Sequence, residues 1–182
     1  MSRKLLVIID MQNDFITGVL GNEECRAVVP NVVEKVRNTD ADIVYTLDTH
    51  YDNYADTQEG KKLPVKHCIK NTEGWELIPE LKDIPALKGF EKNTFGSVEL
   101  AEWIKEKGYT EVELTGVCTD ICVISNAMTI KAVNPEMKVF LAGAPSAELK
   151  EICDAAGMDD YISVKSNCYE TLLRMQKERG MF

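Results

Sequence analysis

A cysteine near the start of a predicted helix is the residue of this sequence best suited to covalent chemistry. The chain breaks at Gly116 after an apolar strand and restarts as a helix to about Val133, with Thr119 or Asp120 as its N-cap. Cys122 therefore falls in the first helical turn, where the helix dipole and the unpaired amides favour a thiolate and could hold an oxyanion. The alternative is a buried structural cysteine, the usual fate of an intracellular cysteine.

Two charged residues at predicted strand ends could assist such a nucleophile. Asp10 directly follows an apolar run, and a carboxylate there is costly to bury unless it is paired or used. Lys92 ends a short predicted strand, where a positive charge near Asp10 and Cys122 would stabilise a carboxylate and a thiolate together. The plainer interpretations are a turn or capping aspartate and a solvated surface lysine.

A second group of residues has the pattern of a divalent metal site. Asp48 and His50 are two positions apart at a predicted strand end, so both side chains project to the same side. His67 is the only other histidine of the chain, and two histidines with a carboxylate form a three-ligand site with open positions, typical of catalytic Zn²⁺. Glu59 could add an oxygen ligand or a supporting contact, and Cys68 is a weaker candidate ligand. Two unrelated surface histidines are the alternative.

These residues can meet only if the chain alternates strands with helices. The chain predicts strands at 5–9, 43–47, 112–114, 138–142 and 161–164, and a further short strand is expected at 88–92. Helical patterns lie between them at 31–38, 97–107, 119–133 and 145–156, and a last helix follows at 169–178. The first of these helices is entered through Pro30, and the second has Ser97 as N-cap and ends at Gly108.

This order predicts an α/β fold: a single domain over 1–182 with a doubly wound, mainly parallel, six-stranded sheet and helices on both faces. In such sheets the ligand crevice lies beyond the carboxyl ends of the strands, which is where the candidate residues fall. Residues 49–80 form a long polar segment without sustained periodicity, which is typical of a functional loop.

Composition narrows the classes of function. The 182 residues are 45% apolar and 28% charged with a net charge of −9, and no basic stretch could follow a nucleic acid or an anionic membrane. No apolar run reaches membrane-spanning length, and the chain enters its first strand without a leader pattern, which predicts a cytoplasmic protein. The six cysteines include no C-x-x-C pair and are expected to be free thiols. Dinucleotide and phosphate-loop motifs are absent.

Four segments of the chain, in this order, resemble the isochorismatase-like cysteine hydrolases, and within them the nicotinamidase (pyrazinamidase) type. They are Asp10-Met-Gln-Asn-Asp-Phe15, Asp48-Thr-His50 with His67, Lys92, and Thr115-Gly-Val-Cys-Thr-Asp-Ile-Cys122-Val. The resemblance covers nearly the whole chain. One departure is the segment Leu141-Ala-Gly-Ala-Pro-Ser146, which lacks the Asp-Ala common at the end of the family's fifth strand.

The resemblance implies a role for each matching position. The family's catalytic triad falls on Asp10, Lys92 and Cys122. Its metal site falls on Asp48, His50 and His67, with Glu59 at a position that some nicotinamidases use. Its cis peptide falls on Val117–Cys118, and its ring-binding pocket on Phe15 and Phe95. Amides near Cys118 and Cys122 would form the oxyanion hole.

The resemblance also implies an activity: an amidohydrolase that converts nicotinamide to nicotinate and ammonia through a cysteine thioester. A divalent metal, with Zn²⁺ as the leading candidate, would orient the substrate. Its partner would be a small amide, with no nucleic acid and no membrane; homo-oligomerisation is left open. The alternatives are another amidase of the family acting on a carbamoyl or ureido substrate, and a metal-holding binding protein on the same fold.

Overall fold

The computed structural model describes residues 3–141, and a five-stranded sheet forms its centre. The strands are β1 Lys4–Ile9, β2 Asp42–Asp48, β3 Lys88–Lys92, β4 Glu111–Gly116 and β5 Lys138–Leu141. All pairings are parallel, and the strand order across the sheet is β3-β2-β1-β4-β5. The predicted parallel α/β fold is confirmed; the predicted strand at 161–164 and the helices at 145–156 and 169–178 lie outside the described residues.

The helices pack on both faces of this sheet. They are α1 Asn13–Ile16, α2 Glu23–Asn38, α3 Gln58–Lys62, α4 Val98–Lys107 and α5 Ile124–Val133. The central strand β1 shows why two layers form, because its buried side chains alternate between the faces. Leu5, Val7 and Ile9 join the core on the side of α4 and α5. Leu6 and Ile8 join the core on the side of α2.

The start of α2 was predicted wrongly at 31–38. The helix begins at Glu23, where the side chain of Asn22 accepts a hydrogen bond from the Cys25 amide as an N-cap. Acidic residues in the first turn add a favourable interaction with the helix dipole. Pro30 lies inside the helix and has no amide to donate. The helix tolerates this loss because the Asn22 cap and buried apolar residues stabilise it.

The second predicted helix, by contrast, is confirmed with its boundaries. The Ser97 hydroxyl accepts a hydrogen bond from the Leu100 amide and caps α4. The helix ends at Gly108, whose φ of 71° is left-handed and therefore suits glycine. The segment 49–80 is less irregular than expected, because it contains α3 and single 3₁₀ turns at Tyr54–Asp56, Glu73–Trp75 and Pro79–Leu81.

No helix within residues 3–141 is both long and apolar enough to cross a membrane.

Candidate active site

The carboxyl edge of the sheet collects the predicted charged and nucleophilic residues. Asp10 follows β1, while Asp48 and Lys92 end β2 and β3 and lie opposite each other in the register of the two strands. Cys122 follows β4, which pairs with β1 through Ile9 and Gly116. All four side chains are buried, so each charge must be compensated inside the protein.

Lys92 is the centre of this group. Its Nζ lies 2.7 Å from Asp10 Oδ2, 3.5 Å from Asp48 Oδ1 and 3.5 Å from Cys122 Sγ. Burial disfavours the ammonium, but the neighbouring carboxylates and thiol outweigh burial and raise the pKa of Lys92. The side chain therefore stays protonated and holds a fixed positive charge between the two acids and the sulfur.

Burial changes the expected chemistry of the cysteine. Rather than favouring a thiolate, desolvation together with the carboxylate of Asp10 raises the pKa of Cys122, against the opposing charge of Lys92. The prediction of a thiolate stabilised by the helix start is therefore wrong for the resting site. Desolvation also raises the pKa of Asp10, although Lys92 opposes the shift. A protonated thiol thus faces a carboxylate whose basicity is increased by the same burial.

The turn that delivers Cys122 differs from the predicted one. Gly116 has a φ of 121°, the Val117–Cys118 peptide is cis as the resemblance implied, and a π-helical turn at Thr119–Val123 precedes α5. The predicted N-cap at Thr119 or Asp120 is wrong, because both lie inside that turn and Cys118 is the residue before it. The Cys118 carbonyl accepts hydrogen bonds from the amides of Ile121 (3.2 Å) and Val123 (3.1 Å).

The two cysteines of this turn face different surroundings. Cys122 belongs to the core between the sheet and helices α4 and α5. Cys118 is half-buried and packs against the core on the α2 side, where its thiol contacts Cys25. Only Cys122 therefore lies beside Lys92, which distinguishes the two thiols by position.

A second cluster lies next to Lys92 and consists of Asp48, His50 and His67. One potential ligand atom from each lies within 4.8 Å of the others, and all three residues are buried. Asp48 Oδ2 is 3.0 Å from His50 Nε2 and 3.4 Å from His67 Nε2. Burial opposes ionisation of Asp48, but its polar contacts with His50 and His67 and the charge of Lys92 outweigh it and hold the pKa of Asp48 below its usual range.

The ring nitrogens of His50 and His67 are oriented in a way that suits cation binding. His67 Nδ1 lies 2.8 Å from the Val65 carbonyl, a contact that turns Nε2 toward Asp48 and is the usual support of a metal-binding histidine. His50 Nε2 is fully buried and has no hydrogen-bond partner of acceptable geometry among residues 3–141. A divalent cation would satisfy this nitrogen, so the donor set fits Zn²⁺ or a similar ion.

Glu59 faces the same place from another element. Thr57 caps α3 by accepting a hydrogen bond from the Gly60 amide, and Glu59 lies in the first turn of that helix. Its Oε1 is 3.7 Å from His50 Nε2 and 3.6 Å from His67 Nε2. The carboxylate is therefore placed to approach the cluster from the half-exposed side.

The loop carrying His67 is joined to the sheet by backbone contacts. Residues 68–70 run beside His50: the His50 amide donates to the Cys68 carbonyl (3.0 Å), and the Lys70 amide donates to the His50 carbonyl (2.9 Å). Cys68, the weaker candidate ligand, is buried, and burial raises the pKa of its thiol. A protonated thiol is a poor metal ligand, which favours the histidines and carboxylates.

The sequence interpretation missed the residues that hold this loop. Gln12 donates to the carbonyls of Asp48 and Trp75 (both 2.8 Å) and accepts from the Asp48 amide (2.8 Å). Asn13 donates to the Glu73 carbonyl (2.7 Å). Asp14 accepts from the Cys68 amide (2.7 Å). Polar residues directly after a buried strand were the available signal, but their partners are distant in sequence.

A buried tyrosine was also missed. The ring of Tyr54 packs edge-on against His50, with ring centroids 4.7 Å apart, and against His67 at 5.1 Å. Its hydroxyl donates to the Leu63 carbonyl (2.9 Å), on the loop leading to His67. The ring therefore supports both imidazoles from one side.

The two predicted pocket rings are in different surroundings. Phe15 is half-buried, and its ring centroid lies 5.7 Å from that of His67. Phe95 is 46% exposed on the segment between β3 and α4. That segment is held by the fully buried Asn126, which donates to the Phe95 carbonyl (3.0 Å) and the Cys122 carbonyl (2.8 Å) and accepts from the Ser97 amide (3.0 Å).

Comparisons with known proteins point to one family. The sequence model of the isochorismatase domain matches residues 4–159. An uncharacterised isochorismatase family protein of Bacillus subtilis is 31% identical over 69% of this chain and 77% of its own length. The nicotinamidase/pyrazinamidase of Mycobacterium tuberculosis is 26% identical over 68% and 76%. The crystal structure of the nicotinamidase/pyrazinamidase of B. subtilis superimposes with a TM-score of 0.69 at 25% identity, covering 89% of this chain and 100% of that one.

Proposed function

This chain belongs to the isochorismatase family, and on that premise we propose that it hydrolyses nicotinamide to nicotinate and ammonia through a thioester on Cys122. The observation that carries the proposal is the position of Lys92, which contacts both Asp10 and Cys122 beside the cluster of Asp48 and the two histidines. The names of the M. tuberculosis relative and the B. subtilis structure support the same substrate class.

In the first half-reaction, Asp10 acts as the base. It accepts the thiol proton of Cys122 while Sγ attacks the carboxamide carbon and forms the S–C bond. Backbone amides near Cys118 and Cys122 hold the oxyanion that results. When the tetrahedral species collapses, Asp10 returns the proton to the departing nitrogen, the C–N bond breaks, and ammonia leaves a thioester behind.

In the second half-reaction, Asp10 and Cys122 act again, and the cysteine is now the leaving group. Asp10 removes a proton from water as its oxygen attacks the thioester carbon. Collapse breaks the C–S bond, and the proton returns to the Cys122 sulfur; the nicotinic acid that forms then loses its own proton to water and leaves as nicotinate. Lys92 positions Asp10 throughout and offsets the negative charge on the sulfur or the carboxylate, so the charge of the triad changes little between steps.

Asp48, His50 and His67, with Glu59, would hold the divalent cation. Bound there, the cation would act as a Lewis acid that orients a substrate through its ring nitrogen. Two contacts support this proposal: the Phe15 ring lies next to His67, and Lys92 lies between this cluster and Cys122. Phe15 and Phe95 are proposed to contact the aromatic ring.

The test is ammonia release from nicotinamide, pyrazinamide and benzamide by zinc-loaded protein. Nicotinamide and pyrazinamide present a ring nitrogen meta to the carboxamide, whereas benzamide has none. Benzamide cannot make the contact between a ring nitrogen and the cation, which leaves polar groups unpaired. We therefore expect its kcat/KM to be lower than that of nicotinamide, on the order of 100-fold.

Two outcomes would contradict the proposal. Equal rates on benzamide and nicotinamide would exclude recognition of the ring nitrogen. Turnover of a ureido or carbamoyl compound with none of nicotinamide would instead identify another amidase of the family.

A further inference from the structure

The base candidate of the triad is held by a hydroxyl that no catalytic role accounts for. Thr46 is fully buried in β2, and its Oγ1 donates to Asp10 Oδ1 at 2.6 Å. The same oxygen accepts a hydrogen bond from the Asp10 amide at 3.2 Å. One hydroxyl therefore binds both the backbone and the carboxylate of Asp10.

The backbone of Asp10 explains why such a contact is needed. Its φ of 48° is left-handed, which is uncommon for a residue other than glycine. The chain has left the strand at this point, so the buried amide needs an acceptor outside the strand pairing, and Thr46 supplies it. The Gln12 amide also donates to the Asp10 carbonyl (2.7 Å), which closes the turn on its other side.

The two oxygens of the Asp10 carboxylate therefore contact different partners. Oδ2 pairs with Lys92 at 2.7 Å, and Oδ1 receives the Thr46 hydroxyl. Rotation of the carboxylate about its terminal bond would break both contacts, so its plane is set relative to Cys122. Because a proton transfer depends steeply on the position of the base, this restraint bears directly on catalysis.

We propose that Thr46 is a positioning residue for the reaction, and that its hydroxyl fixes the Asp10 carboxylate in the orientation that receives the Cys122 proton. The inference rests on the proposed role of Asp10. Thr46 itself lies inside β2 and acts only through Asp10.

Thr46→Val tests the hydroxyl without changing the side-chain shape, and Thr46→Ser is its matched control. With nicotinamide as substrate, we expect Thr46→Val to lower kcat by roughly 10- to 100-fold, with KM changed less than about twofold. Thr46→Ser keeps the donor and should retain most of kcat. If Thr46→Val does not fold, Thr46→Ala removes the same hydroxyl with less steric demand.

A second measurement does not depend on the substrate. Iodoacetamide alkylates Cys122 by forming an S–C bond and releasing iodide, while the thiol proton goes to Asp10. The alkylation rate, mapped to Cys122 by mass spectrometry, should fall in Thr46→Val and not in Thr46→Ser. In an Asp10→Asn background, Thr46→Val should cause no further decrease, because the two residues act as one unit.

The possible results separate cleanly. A wild-type kcat and alkylation rate in Thr46→Val would overturn the inference, as would equal losses in the valine and serine variants. An additive loss in the Asp10→Asn background would show that Thr46 acts by another route. If the wild type does not hydrolyse nicotinamide, the substrate is wrong, and the alkylation experiment still decides the role of Thr46.

Discussion

At the scale of single residues, burial gives Asp10 and Cys122 matching properties. It raises the pKa of both, so the thiol keeps its proton at rest and the carboxylate becomes a stronger base. Lys92 opposes part of this shift for Asp10, because its positive charge lies 2.7 Å from Asp10 Oδ2 and lowers the pKa of the carboxyl. The reactive thiolate would then form only when Asp10 takes the proton.

The two cysteines of the 116–123 turn provide a residue-scale prediction. Cys122→Ala should abolish ammonia release from nicotinamide, since it removes the nucleophile beside Lys92. Cys118→Ala should retain most of the activity, because its thiol packs on the α2 side and its backbone amide remains. Circular dichroism and zinc content check that both variants are folded. An inactive Cys118→Ala with an active Cys122→Ala would refute the assignment of the nucleophile.

At the scale of elements, the turn after β4 depends on a close approach to β1. Gly116 has a φ of 121°, and a Cβ added there would overlap the carbonyl oxygen of Ile9. The Val117 amide donates to that same carbonyl (3.0 Å), so the neighbouring strand cannot move away without losing a hydrogen bond. The position of the Cys122 turn thus follows from the absence of a single side chain.

Gly116→Ala should therefore destabilise the protein and reduce activity together. We expect a loss of about 3 kcal/mol or more in the free energy of unfolding, from the left-handed backbone plus the overlap. Gly108→Ala is the matched control, because Gly108 also has a positive φ but nothing lies near its added Cβ, and it should cost ~1 kcal/mol with activity intact. Urea unfolding measures both. Equal losses would mean that packing against Ile9 has no effect.

The elements also show what the sequence could predict. Apolar runs located the strands, and the Ser97 cap and Gly108 stop of α4 were correct because those signals are local. The start of α2 was missed because a proline usually marks the first turn of a helix, whereas Pro30 lies inside this one and Asn22 caps it. The contact of Thr46 with Asp10 joins positions 36 residues apart, and no local pattern shows which buried threonine will meet which carboxylate.

For the molecule as a whole, the proposed cation site joins separate parts of the chain. Asp48 ends β2 and His50 follows it, Glu59 belongs to α3, and His67 belongs to the following loop. A cation bound by all of them would stabilise the folded state alone, since the unfolded chain holds these ligands far apart. Metal removal is therefore expected to lower the unfolding temperature.

At a zinc concentration about 100 times Kd, the stabilisation should be ~2.7 kcal/mol, which corresponds to a rise in Tm of roughly 5–10 °C over chelated protein. His67→Ala should lose the shift, and Lys66→Ala, at an exposed neighbour outside the ligand set, should keep it. Calcium is the control for general charge screening, which a net charge of −9 makes relevant. Differential scanning calorimetry measures the shift. The same rise with calcium, or in His67→Ala, would contradict a specific site.

The bonds of residues 12–14 bear on how this protein could be recombined with its relatives. The segment 49–80 is attached to the sheet by Gln12 at Trp75, by Asn13 at Glu73 and by Asp14 at Cys68. Residues 12–14 and 49–80, although distant in sequence, thus form one hydrogen-bonded unit. Asp10, Lys92 and Cys122 lie outside this unit. A chimaera that exchanges residues 49–80 for a relative's segment should unfold at a lower temperature than one in which residues 12–14 are exchanged with it.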